Sequence, residues 1–233
     1  MKNNYLLLAL FFLANPVLAG IQTFTGTARD LNGNFKYTEK YQIELNKKGL
    51  ADSIKSKYYD ENNKLISSIE SDYTKHRFIP DSTYIDVRIN EKVVTRVQGN
   101  KLFLEVTDKD ANIKTKTLDI TPNMVMGQGF HNYILYHLNN FKTGETRELK
   151  FVLESRLDYF NFTFNYLGSD EKNPTLTNYR LDIKSWILKL FADALSVQYD
   201  TKKRRLMKFD GLTNVSNKRG KAEHLVITYK YDG

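Results

Sequence analysis

The chain has 233 residues, no cysteine, and 35 basic against 27 acidic side chains, a formal charge of +8. The lack of cysteine excludes disulfides, thiolate nucleophiles and Cys-ligated metals, so the core must hold by packing alone. The basic excess is spread out, with clusters at 46–48, 202–205 and 218–221, and its ordinary role is to keep turn tips solvated.

The N-terminus carries Lys2, an apolar run from Tyr5 to Phe12 and the small-residue stretch Val17-Leu18-Ala19. Those are the charge, length and cleavage chemistry of a secretory signal peptide. The apolar run is well short of the ~20 residues that span a bilayer. The expectation is therefore a signal peptide over 1–19 and one exported domain over 20–233, periplasmic or secreted, with no transmembrane helix once the signal is cleaved. In that setting anionic lipid or another envelope component is the expected partner of the basic clusters, and nucleic acid is not.

Beyond residue 20 the main signal is alternation with period two. Tyr37, Tyr41, Ile43 and Leu45 share one face of a strand, with Thr38, Lys40, Gln42 and Glu44 on the other. Ile85, Val87 and Ile89 oppose Tyr84, Asp86 and Arg88, and Leu225, Ile227, Tyr229 and Tyr231 line up in the last strand. Between such runs stand Asn-, Asp- and Gly-rich pieces at 31–34, 60–64, 90–92, 98–100, 107–112 and 200–203, which suit the positive φ angles of tight hairpins. The pattern predicts a mainly β fold: about ten to twelve strands in a strongly curved antiparallel sheet or open barrel.

Two segments depart from simple alternation. Leu149, Phe151 and Leu153 occupy odd positions, whereas Phe160, Phe162, Phe164 and Tyr166 occupy even ones. A one-residue slip reverses the faces, so the chain must bend, bulge or turn near Ser155 to Tyr159. The run 183–195 has helical spacing around Trp186 and reads as a short helix or an irregular connection.

The stretch after Met126 changes period. Phe130, Tyr133, Ile134, His137, Leu138 and Phe141 fall on one helical face, Gly127 and Gly129 precede it, and Lys142 and Gly144 close it. This predicts one docked amphipathic helix over about 129–141. Burying five large apolar side chains of that stripe would contribute ~10 kcal/mol gross.

His137 on that stripe is the candidate for chemistry, paired with Asp86 or Arg88 from the sheet, since a buried imidazole–carboxylate pair titrates near neutral pH. The plainer reading is a neutral histidine bonded to a backbone carbonyl or a tyrosine hydroxyl. His131 and His137 lie ~240° apart around a helix and cannot share a metal ion, so neither metal nor cofactor is expected. The Gly-rich start lacks the Lys-Ser/Thr of a phosphate loop, and no G-x-S-x-G elbow is present. A glycosidase pair among Glu39, Glu105 and Glu154 stays open.

Four islands (26–41, 77–89, 127–134 and 196–215) together resemble a family of uncharacterised exported bacterial proteins. The residues that carry the resemblance are the tyrosine–acid pair Tyr37 and Glu39 and the Asp-x-Arg pair Asp86 and Arg88. Gly127, Gly129 and Phe130 at the helix start and the turn Gly211, Thr213 and Asn214 complete the pattern. Where the family often has an acid at the helix start, this chain has His131. The resemblance implies a curved antiparallel sheet with an inserted helix, similar to the lipoprotein carriers of the bacterial envelope, and implies no reaction.

Three functions follow as expectations. The first is a non-catalytic binding or carrier module for an apolar or lipid-like envelope ligand, with Phe130, Tyr133, His137, Asp86 and Arg88 as candidate ligand-binding residues. The second is an envelope hydrolase or lyase using His137 with Asp86 or Glu39. The third is an outer-membrane β-barrel, disfavoured by the charged residues within most strands.

Overall fold

The computed structural model describes residues 19–184, 194–217 and 220–232. The expected signal peptide, the segment around Trp186 and part of the 218–221 cluster lie outside the described residues.

The chain first runs through eight consecutive antiparallel strands: β1 (Gly20–Arg29), β2 (Phe35–Leu45), β3 (Ala51–Tyr59), β4 (Leu65–Asp72), β5 (Asp81–Asp86), β6 (Glu91–Gln98), β7 (Lys101–Thr107) and β8 (Ile113–Asp119). A short β9 (Met124–Met126) and the helix α1 (Gly129–His137) follow. Six more strands complete the fold: β10 (Thr146–Leu153), β11 (Asp158–Ser169), β12 (Leu176–Ile183), β13 (Leu195–Asp200), β14 (Arg205–Leu212) and β15 (His224–Tyr231). The described residues hold 15 strands rather than ten to twelve, in part because a strand as short as the three-residue β9 cannot display alternation.

Several hairpins use one piece of turn chemistry. Asp30, Asp60 and Asp108 each accept, through Oδ1, the backbone N–H groups two and four residues on. Asn46 does the same for Lys48 and Leu50. The fourth residue of each loop takes positive φ: Gly33 at 85°, Gly49 at 67°, Asn63 at 58° and Ala111 at 62°. A carboxylate or amide that closes the loop onto its own backbone fixes the register of the strands on either side.

Strand order then dictates shape. All the strands form one sheet, from β8 at one edge through β1 and β15 in the middle to β9 at the other, and only β9 with β10 is parallel. Laid flat, the sheet would be about 65 Å wide at ~4.8 Å per strand. Yet the two edges are consecutive in sequence, and the link from Asp119 to Met124 reaches at most ~17 Å. The sheet must therefore roll until its edges approach.

Across that seam Leu102, Leu104 and Leu118 pack against Met124, Met126 and Val152. Lys116 Nζ meets Asp158 Oδ2 at 2.6 Å. The edges stay unpaired, so the sheet is curved and open. No helix among the described residues is long and apolar enough to cross a membrane.

The phase change at 149–166 turns out to be a hairpin. A 3-10 turn over Glu154–Arg156 ends with Leu157 in the left-handed region at φ 55° and separates β10 from β11.

Helix α1 is shorter than the expected 129–141 and is buried over more of its surface. It ends at His137, before two asparagines of low helix propensity. Besides Phe130, Tyr133 and Ile134, it buries Leu135 and, completely, Asn132. The Asn132 amide acts as a strand partner: Oδ1 accepts from Ala51 N at 2.8 Å, and Nδ2 donates to Ala51 O at 2.9 Å and Arg77 O at 3.1 Å. That clamp fixes the helix onto the end of β3.

Candidate functional site

The rolled sheet and the start of α1 enclose a cavity of about 260 Å³. Its walls are mainly Phe, Tyr, Leu, Ile and Val side chains from both halves of the sheet, and no Lys or Arg among the described residues lines it. Two glycines let the helix start pack closely on its neighbours. Gly127 holds φ +51°, and a Cβ on Gly129 would stand 2.1 Å from the carbonyl oxygen of Phe78.

One carboxyl interrupts the apolar wall. On β2 the inward face runs Tyr37, Glu39, Tyr41, Ile43, and all four line the cavity. Glu39 is only 3% exposed. Opposite it in register stands Gly26 of β1, itself opposite Tyr229 of β15. A Cβ on Gly26 would lie 2.8 Å from both Glu39 Oε2 and Tyr229 Cε1. The missing side chain lets the carboxyl and the phenol lean together across the strand.

Burial pushes the Glu39 carboxyl up to about 7, against the pull of the hydroxyls of Tyr41, Tyr229 and Tyr37 around it. Desolvation also holds those tyrosines, with Tyr58, above the usual phenol range, so all remain hydrogen-bond donors at neutral pH. Three buried polar atoms lining the cavity have no hydrogen-bond partner: Glu39 Oε2, Tyr37 Oη and Gln128 Oε1. The other end of the Gln128 amide is engaged, with Nε2 donating to Ser56 Oγ at 3.1 Å. Buried polar groups are ordinarily satisfied, so three orphans facing one space invite an occupant.

His131 also lines the cavity. Its Nδ1 lies 2.8 Å from the Tyr199 hydroxyl, and burial, with Arg204 nearby, lowers its pKa to about 4, so the ring is neutral. The tyrosine-bonded neutral histidine considered for position 137 is thus found at 131.

A second, polar cleft of about 80 Å³ shares Gly127, Gln128 and Asn214 with the main cavity and contains Glu91 and Glu154. Desolvation lifts Glu154 to about 7. Among Glu39, Glu105 and Glu154, only Glu39 lines the main cavity and only Glu154 lines the cleft, so no two of them share one space.

The five residues singled out from sequence separate into three places. Phe130 lines the cavity. Tyr133 and His137 sit elsewhere on α1, where the His137 ring packs among Phe78, Tyr133, Tyr136 and Phe141. Burial, then Arg147 and Arg77, lowers the His137 pKa, and Glu145 opposes them. Glu145 is itself bound by Arg147 at 2.6 Å. Among the described residues no hydrogen bond or ion pair joins His137 to a carboxylate.

Asp86 and Arg88 pair with each other. The fully buried Asp86 carboxylate accepts from Arg88 N, Nε and Nη2 and from the Tyr84 hydroxyl, while Arg88 Nη2 also donates to Ser216 O. This pair ties the end of β5 to the loop after β14. Thr213 and Asn214 of that loop line the cavity, so Asp86 and Arg88 shape the site from outside it. Apolar Ile85 and Val87 point outward instead, 39% and 54% exposed.

No group of three or more His, Asp or Glu among the described residues could hold a metal ion.

No family model matches the chain. No curated protein matches it either. Among solved structures, a β-barrel-like protein of the domain of unknown function DUF1849 from Brucella abortus is similar at 8% identity, covering 93% of this chain and 97% of that one, with a TM-score of 0.42.

Proposed function

We propose that this protein is an exported, periplasmic binding or carrier module for an apolar, lipid-like envelope ligand. The observation that carries the reading is the 260 Å³ cavity, walled by aromatic and aliphatic side chains and holding a few converging polar groups. Ligand sites have that composition, with volumes of roughly 300–1,000 Å³. A space of that size and lining suits a short apolar chain or one segment of a longer one.

Native mass spectrometry of protein purified from its own host should show added mass from an apolar molecule. In solution, octan-1-ol should displace a neutral apolar dye from the cavity. A bare polypeptide mass together with no dye binding would overturn the reading.

A further inference from the structure

We infer that the cavity selects an amphiphile whose head is a protonated amine, seated on Glu39 within the ring of Tyr37, Tyr41, Tyr58 and Tyr229. The inference rests on the reading of the cavity as an apolar-ligand site and adds the chemistry of the head group.

A fatty acid brings a carboxylate, and its natural partner is Arg or Lys. Among the described residues no Lys or Arg lines this cavity, and its histidine is neutral. Glu39, the one carboxyl among the described lining residues, has an unpartnered oxygen, so above about pH 7, where it is ionised, a carboxylate head would meet like charge.

What the site does offer is acceptors and π faces. Glu39 Oε2 and Gln128 Oε1 are buried acceptors that no hydrogen bond among the described residues satisfies, although the hydroxyls of Tyr37, Tyr41 and Tyr229 stand around the carboxyl, and both line the space. A primary ammonium supplies three N–H donors, no acceptor, and one positive charge. Tyrosine faces around a cation add quadrupole attraction that strengthens as water is excluded. Bound beside Glu39, the ammonium would also hold the carboxyl ionised, replacing an uncompensated buried acid with an ion pair.

Other cations fit less well. Calcium and magnesium take six or more oxygen ligands or keep much of their water shell, and one carboxyl among phenols and aliphatic walls supplies neither. A neutral alcohol can donate to one acceptor only, leaving the other orphaned.

Displacement of a neutral apolar dye tests this at pH 8, above the raised titration of Glu39, with octan-1-amine, octan-1-ol and octanoate compared on the same protein. Octan-1-amine should bind about tenfold more tightly than octan-1-ol, and octanoate most weakly of the three. In Glu39→Gln the amine and the alcohol should converge to within about threefold, because the charge partner is gone while shape is kept. Equal binding of amine and alcohol to the native protein, tighter binding of octanoate, or an undiminished amine preference in Glu39→Gln would each overturn the inference while leaving the apolar-ligand reading intact. Failure of all three compounds to displace the dye would overturn both.

Discussion

Val97 and Val197 are each 5% exposed, yet they stand in different kinds of interior. Val97 belongs to the seam cluster, whose buried members are Ile, Val, Leu and two methionines, with no aromatic ring among them. Val197 lines the cavity among Phe and Tyr. Methionine is unbranched and moulds itself to irregular gaps. Rings have two torsions and hold their shape, and here they brace one another: Phe24 stacks on Tyr41 at 4.6 Å and on Tyr231 at 4.5 Å. The comparison teaches that equal burial does not mean equal filling. The seam closes because its side chains can adapt, and the cavity persists because its walls cannot.

The sharpest way to break the comparison is to hollow the filled side. Leu104→Ala at the fully buried seam should cost about 4 kcal/mol, read as a lowered denaturation midpoint at unchanged slope. A loss under ~1 kcal/mol would mean that the seam was never tightly packed.

The next effect separates the polar spot from the apolar wall. Glu39 binds its proton more tightly folded, at about 7, than at the ordinary 4.5. An acid raised in this way leaves stability intact below about 4.5, loses it as pH climbs to about 7, and has lost it fully above that. At about 1.4 kcal/mol per pH unit the loss is roughly 3 kcal/mol for this group. Glu39→Gln should therefore stabilise the unliganded protein by that order at pH 8 and change little at pH 4.5. Equal melting shifts at the two pH values would remove the buried charge from the account.

The smallest effect is the most direct test. Val97→Phe should overpack the seam and destabilise by about 2 kcal/mol, whereas Val197→Phe, growing into open space, should cost under ~0.5 kcal/mol and abolish dye binding. Comparable destabilisation by both would show the cavity already filled by its own walls.

Much of this was written in local chemistry. The aspartate-led turns at Asp30, Asp60 and Asp108 announce themselves by residue type, and the hairpin at 154–157 by its reversal of phase. The curl was legible in outline, since the reversal of phase near Ser155 to Tyr159 suits a strongly curved sheet better than a flat one; which strands meet at the seam was not, because pairing across the whole chain leaves no local mark. Asn132 was missed because helical spacing registers apolar residues and ignores an amide that mimics a strand neighbour. Glu39 left a trace: it stands between Tyr37 and Tyr41 on the inward face, where an acid breaks the alternation. The resemblance had marked that pair, while spacing on the helix drew attention to His137. Asp86 or Arg88 was expected beside His137 and at the ligand, but two residues of opposite charge on one strand end satisfy each other first.

The pairing of β1 with β15 has a kinetic meaning. Phe24 meets Tyr231 in register, and Thr23 Oγ1 donates to Asp232 Oδ2 across 209 residues of sequence. Gly26, which makes room for Glu39, has its second neighbour in Tyr229 of that same final strand. The hollow therefore cannot take shape while the chain is still being made; this wall arrives with β15. Contacts of such separation slow the search for the native state. Until they form, the tyrosines and phenylalanines of the first strands have only one another for company, and that interval is when the chain most needs keeping from its neighbours.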